Sequence, residues 1–238
     1  MQNNRFDVNT QSQTREIDQG LRAHMSRVYA RMSSGVLLTA IVALVVGLSP
    51  TLLNLFLGGP QAYIVMLAPL AVLWFGFRPD RMSSGKLRIG FFAISALYGI
   101  SFSAIAAFAS KDMTFAQDVA RAFFIATGMF AGLSIFGYST KKDLTAVGSF
   151  AIMGIWGVFI ATLLNFFFKS DVMSNVIAGI GIISFAGMTA WQTQATKEMY
   201  SPAYDDETNS LMAWAATLNL YISFIAMFSY ILHFTSNR

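Results

Sequence analysis

The chain has 238 residues, of which 55% are apolar and only 12% charged, with 22 Phe, 13 Met and a mean hydropathy of +0.55, a composition outside the ordinary soluble range. Cysteine is absent, which excludes a disulfide framework, a thiolate nucleophile and any Cys-based metal site, and the two histidines, His24 and His233, lie far apart in sequence. The formal charge of +4 does not point to nucleic acid, because the basic residues fall in short runs between apolar segments, where membrane topology accounts for them.

A polar N-terminal tail covers residues 1–32 and carries Asp7, Glu16 and Asp18 ahead of any hydrophobic stretch. It lacks the basic n-region of a cleaved signal, so the first span is expected to stay as an anchor. A transmembrane domain over 33–234 and a C-terminal tail over 235–238 complete the expected organisation. Seven runs have roughly the 20 apolar residues that a spanning helix needs. They are Ser34 to Leu57, Ala62 to Phe77, Ile89 to Ala109, Val119 to Tyr138, Leu144 to Phe168, Val176 to Gln194 and Leu211 to Phe234. Pro69 lies within the second and predicts a kink there. The connections are short, apart from an acidic one over about Thr196 to Ser210 that carries Asp205, Asp206 and Glu207. The motif RMSSG occurs twice, at Arg31 to Gly35 and Arg81 to Gly85, without the surrounding similarity that a duplication would leave.

Twelve Lys and Arg fall on the side of the N-terminus and four on the other, which predicts a cytoplasmic N-terminus and an external C-terminus. Small residues such as Gly128, Gly132 and Gly137, or Gly148, Gly154 and Gly157, predict close helix approach.

No catalytic constellation is expected. His233 has no neighbouring acid, and Ser134 in GLSIFG has no His or Lys at helical spacing to act as its base. The predicted spans hold no Asp, Glu or Lys. Arg121 is expected at the outer interface, its long side chain snorkelling to water. The polar residues that remain at depth are Thr189, Gln192, Thr193 and Gln194 on the sixth helix and Asn219 and Ser223 on the seventh. Helical rise places Gln192 and Ser223 at matching distances from the cytoplasmic side.

These residues carry a resemblance. YARMSSGVLLTA at Tyr29 to Ala40, YGISFSAI at Tyr98 to Ile105, FFIATGMFAGLSIFGYSTKKDLTAVGSF at Phe123 to Phe150, TAWQTQATKEMY at Thr189 to Tyr200 and LYISFIAMF at Leu220 to Phe228 together resemble the Bax inhibitor-1 family in a bacterial form. The resemblance implies an all-α, seven-helix membrane bundle with the last helix surrounded by the other six. It also implies a proton-sensitive calcium leak, no cofactor, and in bacteria an association with an FtsH-type membrane protease. The family's two aspartates fall on Gln192 and Ser223 of this chain, so the pH-sensing carboxylate pair does not carry over. A neutral pair cannot share a titrating proton and gives a divalent cation no anionic ligand. Two readings follow, both in the bacterial inner membrane: a leak for calcium or another cation whose pH gate is lost or moved, or a non-conducting partner of the membrane protease acting through the tail and the acidic loop.

Overall fold

The computed structural model describes residues 3–236, with side chains from Asp18 onward apart from that of Trp74. The side chains of Asp7 and Glu16, and Arg238, on which parts of the tail and charge arguments rest, lie outside the described residues. The described residues form helices joined by short connections, without strands: α1 (Asn3–Gly47), α2 (Pro50–Leu57), α3 (Gln61–Ala71), a π-helical turn (Val72–Gly76), α4 (Ser84–Ala109), α5 (Met113–Ser139), α6 (Thr145–Phe168), α7 (Asp171–Met199) and α8 (Asp206–Ser236). Six of these helices are long and apolar enough to cross a membrane, and the pair α2 and α3, bent by 77°, would make a seventh if it counts as one span.

The first two expected spans require correction. The chain does not run from Ser34 to Leu57 as one helix; α1 ends at Gly47 and a new helix starts at Pro50. Proline has no N–H to continue the ladder and its ring collides with the carbonyl four residues back, so it is tolerated only in a helix's first turn. Ser49 makes that first turn, its Oγ accepting the Leu52 N–H at 3.4 Å. The second expected span is therefore the far arm of the bent pair. Beyond Pro69 the α-helix gives way to the π-helical turn Val72–Gly76, the Val72 N–H being shared between the carbonyls of Ala68 and Pro69. The expected long sixth connection is shorter than read, since α7 continues to Met199 and α8 begins at Asp206.

Where helices meet, glycines set the spacing. A Cβ on Gly137 would stand 2.2 Å from the Ala190 carbonyl oxygen, one on Gly148 2.5 Å from the Trp191 ring, and one on Gly154 2.2 Å from Ser184 Oγ. Gly128, Gly132 and Gly157 have nothing within 4 Å and do not mediate contact. Gly181, absent from the expected set, sits against the Tyr230 ring, where a Cβ would meet carbon atoms at 2.8 Å.

Within the most apolar stretch of α8, 67% of residues are buried, against 17–33% in the other five long helices. Its neighbours are α1, α4, α5 and α7, while α6 packs on α7 and the bent pair packs on α1 and α4. Val72, Leu73 and Phe77 still reach the buried cluster built on α8. The outward faces carry Phe150, Phe159, Phe166, Phe167 and Phe168 of α6, all exposed, as suits helices whose solvent is lipid. Two helix ends are tied by side chains from elsewhere. Glu207 of α8 accepts the Ser84 N–H and the Ser84 hydroxyl, both at 2.7 Å, at the start of α4. Asn165 near the end of α6 donates to Ser174 Oγ of α7 at 2.7 Å and accepts the Ser170 N–H at 3.0 Å.

Candidate functional site

Five consecutive residues of α7, Ala190 to Gln194, touch four other helices in turn. Ala190 lies against Gly137 of α5 and Trp191 against Gly148 of α6. Gln192 accepts a hydrogen bond from the hydroxyl of Ser223 on α8 at 2.8 Å. Thr193 Oγ1 lies 3.3 Å from the hydroxyl of Tyr29 on α1. Gln194 caps the start of α6, its Oε1 accepting the Leu144 N–H at 2.8 Å and its Nε2 donating to the Lys142 carbonyl at 2.9 Å. An α-helix turns 100° per residue, so successive side chains sweep the whole circumference. Five successive positions can therefore serve four different neighbours, with α6 met twice, by Trp191 and by Gln194.

Of the residues singled out in the sequence, the structure brings Gln192 and Ser223 into direct contact, with Ser223 only 1% exposed. A primary amide carries both donor and acceptor, so the hydroxyl finds a partner whichever way the amide is turned. Thr193 and Gln194 are buried and bridge helices as described. Thr189 is buried but internal to α7, its hydroxyl donating to the Phe185 carbonyl at 2.7 Å. Asn219 does not join the cluster: it is exposed. It falls on the side of α8 that carries the half-buried Met212, Ala215, Ile222 and Ala226. Arg121 is exposed and donates to Asp118 of the same helix at 3.3 Å.

A second buried polar contact was not anticipated. Thr39 of α1 lies 2.7 Å from the hydroxyl of Tyr221 on α8, and also reaches the carbonyls of Ser95 on α4 at 2.9 Å and Gly35 at 3.0 Å. The single Thr39 proton serves the carbonyls, so Tyr221 is the donor to Thr39 Oγ1. The signal was present in the sequence, since Tyr221 belongs to the same LYISFIAMF stretch as Ser223 and Thr39 stands four residues after Gly35. Nothing in local spacing paired them.

The site's electrostatics are those of neutral dipoles. The titratable groups around it are Tyr29 on α1, Tyr221 on α8, and Lys197 at the end of α7, which donates to the Tyr138 carbonyl of α5 at 3.0 Å and lies over the Tyr138 ring. Along α7 the next acid is the exposed Glu198, four residues beyond Gln194, and between the two residues that Gln194 caps stands the exposed Asp143, whose carboxyl is held below the usual range by hydrogen bonds from Thr145. It is ionised throughout pH 6 to 8 and supplies no proton there. Among the described residues no three His, Cys, Asp or Glu side chains cluster as metal ligands would.

Because Gln194 is only 7% exposed and satisfies a buried N–H and a carbonyl at the entry to α6, Gln194→Ala is expected to cost about 2 kcal/mol, the penalty for orphaning buried backbone groups. Denaturant titration in mixed micelles measures it, and an unchanged midpoint would show that water replaces the amide without loss.

The family model described as "Inhibitor of apoptosis-promoting Bax1" matches residues 21–238. Similar proteins include RP147 of Rickettsia prowazekii (strain Madrid E), 36% identical over 97% of this chain and 96% of its own length. Inner membrane protein YbhL of Escherichia coli (strain K12) is 33% identical over 92% of this chain and 93% of its own. A protein of Borreliella burgdorferi is 33% identical over 90% and 91%.

Proposed function

Because the chain belongs to the Bax inhibitor-1 family of integral membrane proteins, we propose that it is a multi-pass inner-membrane leak for calcium or another cation in which no proton gates the contact between α7 and α8. Conduction rests on the family. The loss of pH gating rests on the Ser223 to Gln192 hydrogen bond of 2.8 Å, a contact between two groups that do not ionise, read with the resemblance that puts the family's carboxylate pair at these two residues. In this reading the bent pair α2 and α3 is one span, α8 is the central helix, and the termini follow the charge bias, N-terminus cytoplasmic and C-terminus outside.

Neither partner in the contact ionises, so the bond between the two helices has the same strength at pH 6 and pH 8. A carboxylate at the centre of a spanning helix would also cost about 2.5–3.5 kcal/mol on insertion scales, which the amide avoids. Without an anionic ligand at this level, affinity for a divalent ion is weak and selectivity between cations low.

Calcium efflux from proteoliposomes at pH 7 tests the reading. Flux well above that of protein-free vesicles is expected, with calcium and monovalent cations passing at comparable rates. Flux no greater than that of empty vesicles contradicts it and favours the second reading, a non-conducting partner of an FtsH-type membrane protease. One observation favours that alternative: α1 runs as a single helix from Asn3 to Gly47, so the polar segment ahead of the span is a continuous helical extension that a partner can hold. Asp205 and Asp206, both exposed, lie in and at the end of the connection between α7 and α8.

A further inference from the structure

We infer that Arg27, Arg31 and Arg88 form a binding site for a phosphate-class anion at the N-terminal-side end of the seam between α1 and α4, with Arg31 about two turns along α1 from the buried His24. His24, Val28, Arg31 and Gly35 follow one another at three or four residue intervals and so share one face of α1. That face meets α4 and α8: a Cβ on Gly35 would lie 2.3 Å from the Phe91 ring of α4, and the Arg31 guanidinium lies 4.1 Å from the centre of the Trp214 ring of α8. Stacking on an indole fixes the guanidinium plane and leaves its N–H groups pointing along that plane. One of them, on Nη1, is buried and has no partner.

The arginines gather there without a direct carboxylate partner. Arg27 stands one turn before Arg31 on α1, and Arg88 stands one turn before Phe91, the α4 residue that meets Gly35 one turn beyond Arg31. Among the described residues the ion pairs are Arg81 with Asp80 and Arg121 with Asp118, so none of these three arginines has a carboxylate within pairing distance. Glu207, the acid that α8 brings to the start of α4, is engaged by Ser84. His24 is 1% exposed, its ring lies 5.2 Å from that of Tyr200, and neither ring nitrogen has a partner.

Buried charge is normally paired, and planar guanidinium groups are matched best by the oxygens of a phosphate, which accepts two parallel N–H bonds from each fork. Arg27 and Arg88 are exposed and so open to an anion from outside, while Arg31 is half-buried. The same chemistry is offered by a free phosphate and by the headgroup of an anionic phospholipid in the adjoining leaflet. The site is separate from the α7 to α8 contact, and its test reads binding without any flux.

The test is the thermal midpoint of the full chain, measured in neutral detergent with inorganic phosphate against chloride at matched ionic strength, and in nanodiscs of phosphatidylcholine with and without phosphatidylglycerol. The expected result is an increase of about 3 °C with one or both probes, abolished by Arg31→Gln and by Arg88→Gln and retained by Arg81→Gln. A response to phosphatidylglycerol alone assigns the site to a headgroup, and a response to inorganic phosphate assigns it to a soluble anion. Arg88 is exposed and its replacement is compatible with folding, so a defect confined to Arg31→Gln does not obscure the outcome. No response to either probe, or a response that survives both Arg31→Gln and Arg88→Gln, overturns the proposal.

Discussion

Replacing Gln192 and Ser223 together with aspartate is expected to convert a pH-indifferent contact into a titrating one. The native atoms are 2.8 Å apart, so the two new carboxyls share one proton at low pH and repel each other once both ionise. At about 4 Å and an effective dielectric of about 20 that repulsion is about 4 kcal/mol. One of the two macroscopic pKa values is therefore raised above the ordinary carboxylate range, and the pair titrates as a unit. The sign follows: the α7 to α8 contact is intact below the raised value and is lost as pH rises through it. The variant should melt lower at pH 8 than at pH 6, with calcium flux changing by about tenfold or more over the same interval. Ser223→Asp alone faces a neutral amide and should respond far less. A double variant whose stability and flux are both flat with pH would mean that this contact does not control α8.

The second large effect concerns backbone approach. Gly137→Ala places a methyl group 2.2 Å from the Ala190 carbonyl oxygen and 3.0 Å from its carbon, and neither belongs to a flexible side chain that can turn away. Relief requires α5 and α7 to separate at the point where α7 also holds Ser223 and Tyr29. A destabilisation of about 3 kcal/mol is expected, at the upper end for overpacking. Gly128→Ala is the matched control, since nothing lies within 4 Å of its Cβ, and it should be neutral or slightly stabilising because alanine is the better helix former. Equal stability of the two variants, by denaturant titration in micelles, would show that the helices reseat at no cost.

The spans were legible in the sequence because long apolar runs between charged breakers depend on composition alone. Local rules carried some detail further, and Pro69 does precede the change from α-helix to π-helical turn. Pro50 carried a signal of the same kind, and it outweighs the hydropathy that runs unbroken across it. The contact of Gln192 with Ser223 was legible through helical rise, which puts the two at matching depth, whereas the capping role of Gln194 was not, because Leu144 and Lys142 are about fifty residues away in the chain. Asn219 and Ser223 are one turn apart on α8 and looked equivalent. Only packing separates them, since α7 covers Ser223 while Asn219 stays exposed. The glycines divide in the same way: the sequence marks where a helix permits close approach, and the partner helix decides whether approach occurs. Thr39 with Tyr221 marks the limit of sequence reading, because hydroxyl groups occur throughout these helices and most are satisfied by the carbonyl four residues back in their own helix, as at Ser95 and Thr217.

The account stands on the neutrality of the α7 to α8 contact, and the most direct measurement is calcium efflux from proteoliposomes containing the unaltered chain, recorded at intervals from pH 6 to pH 8 under a fixed gradient. A rate above that of empty vesicles and constant across the interval is the predicted result. A steep change in rate between those limits would contradict it.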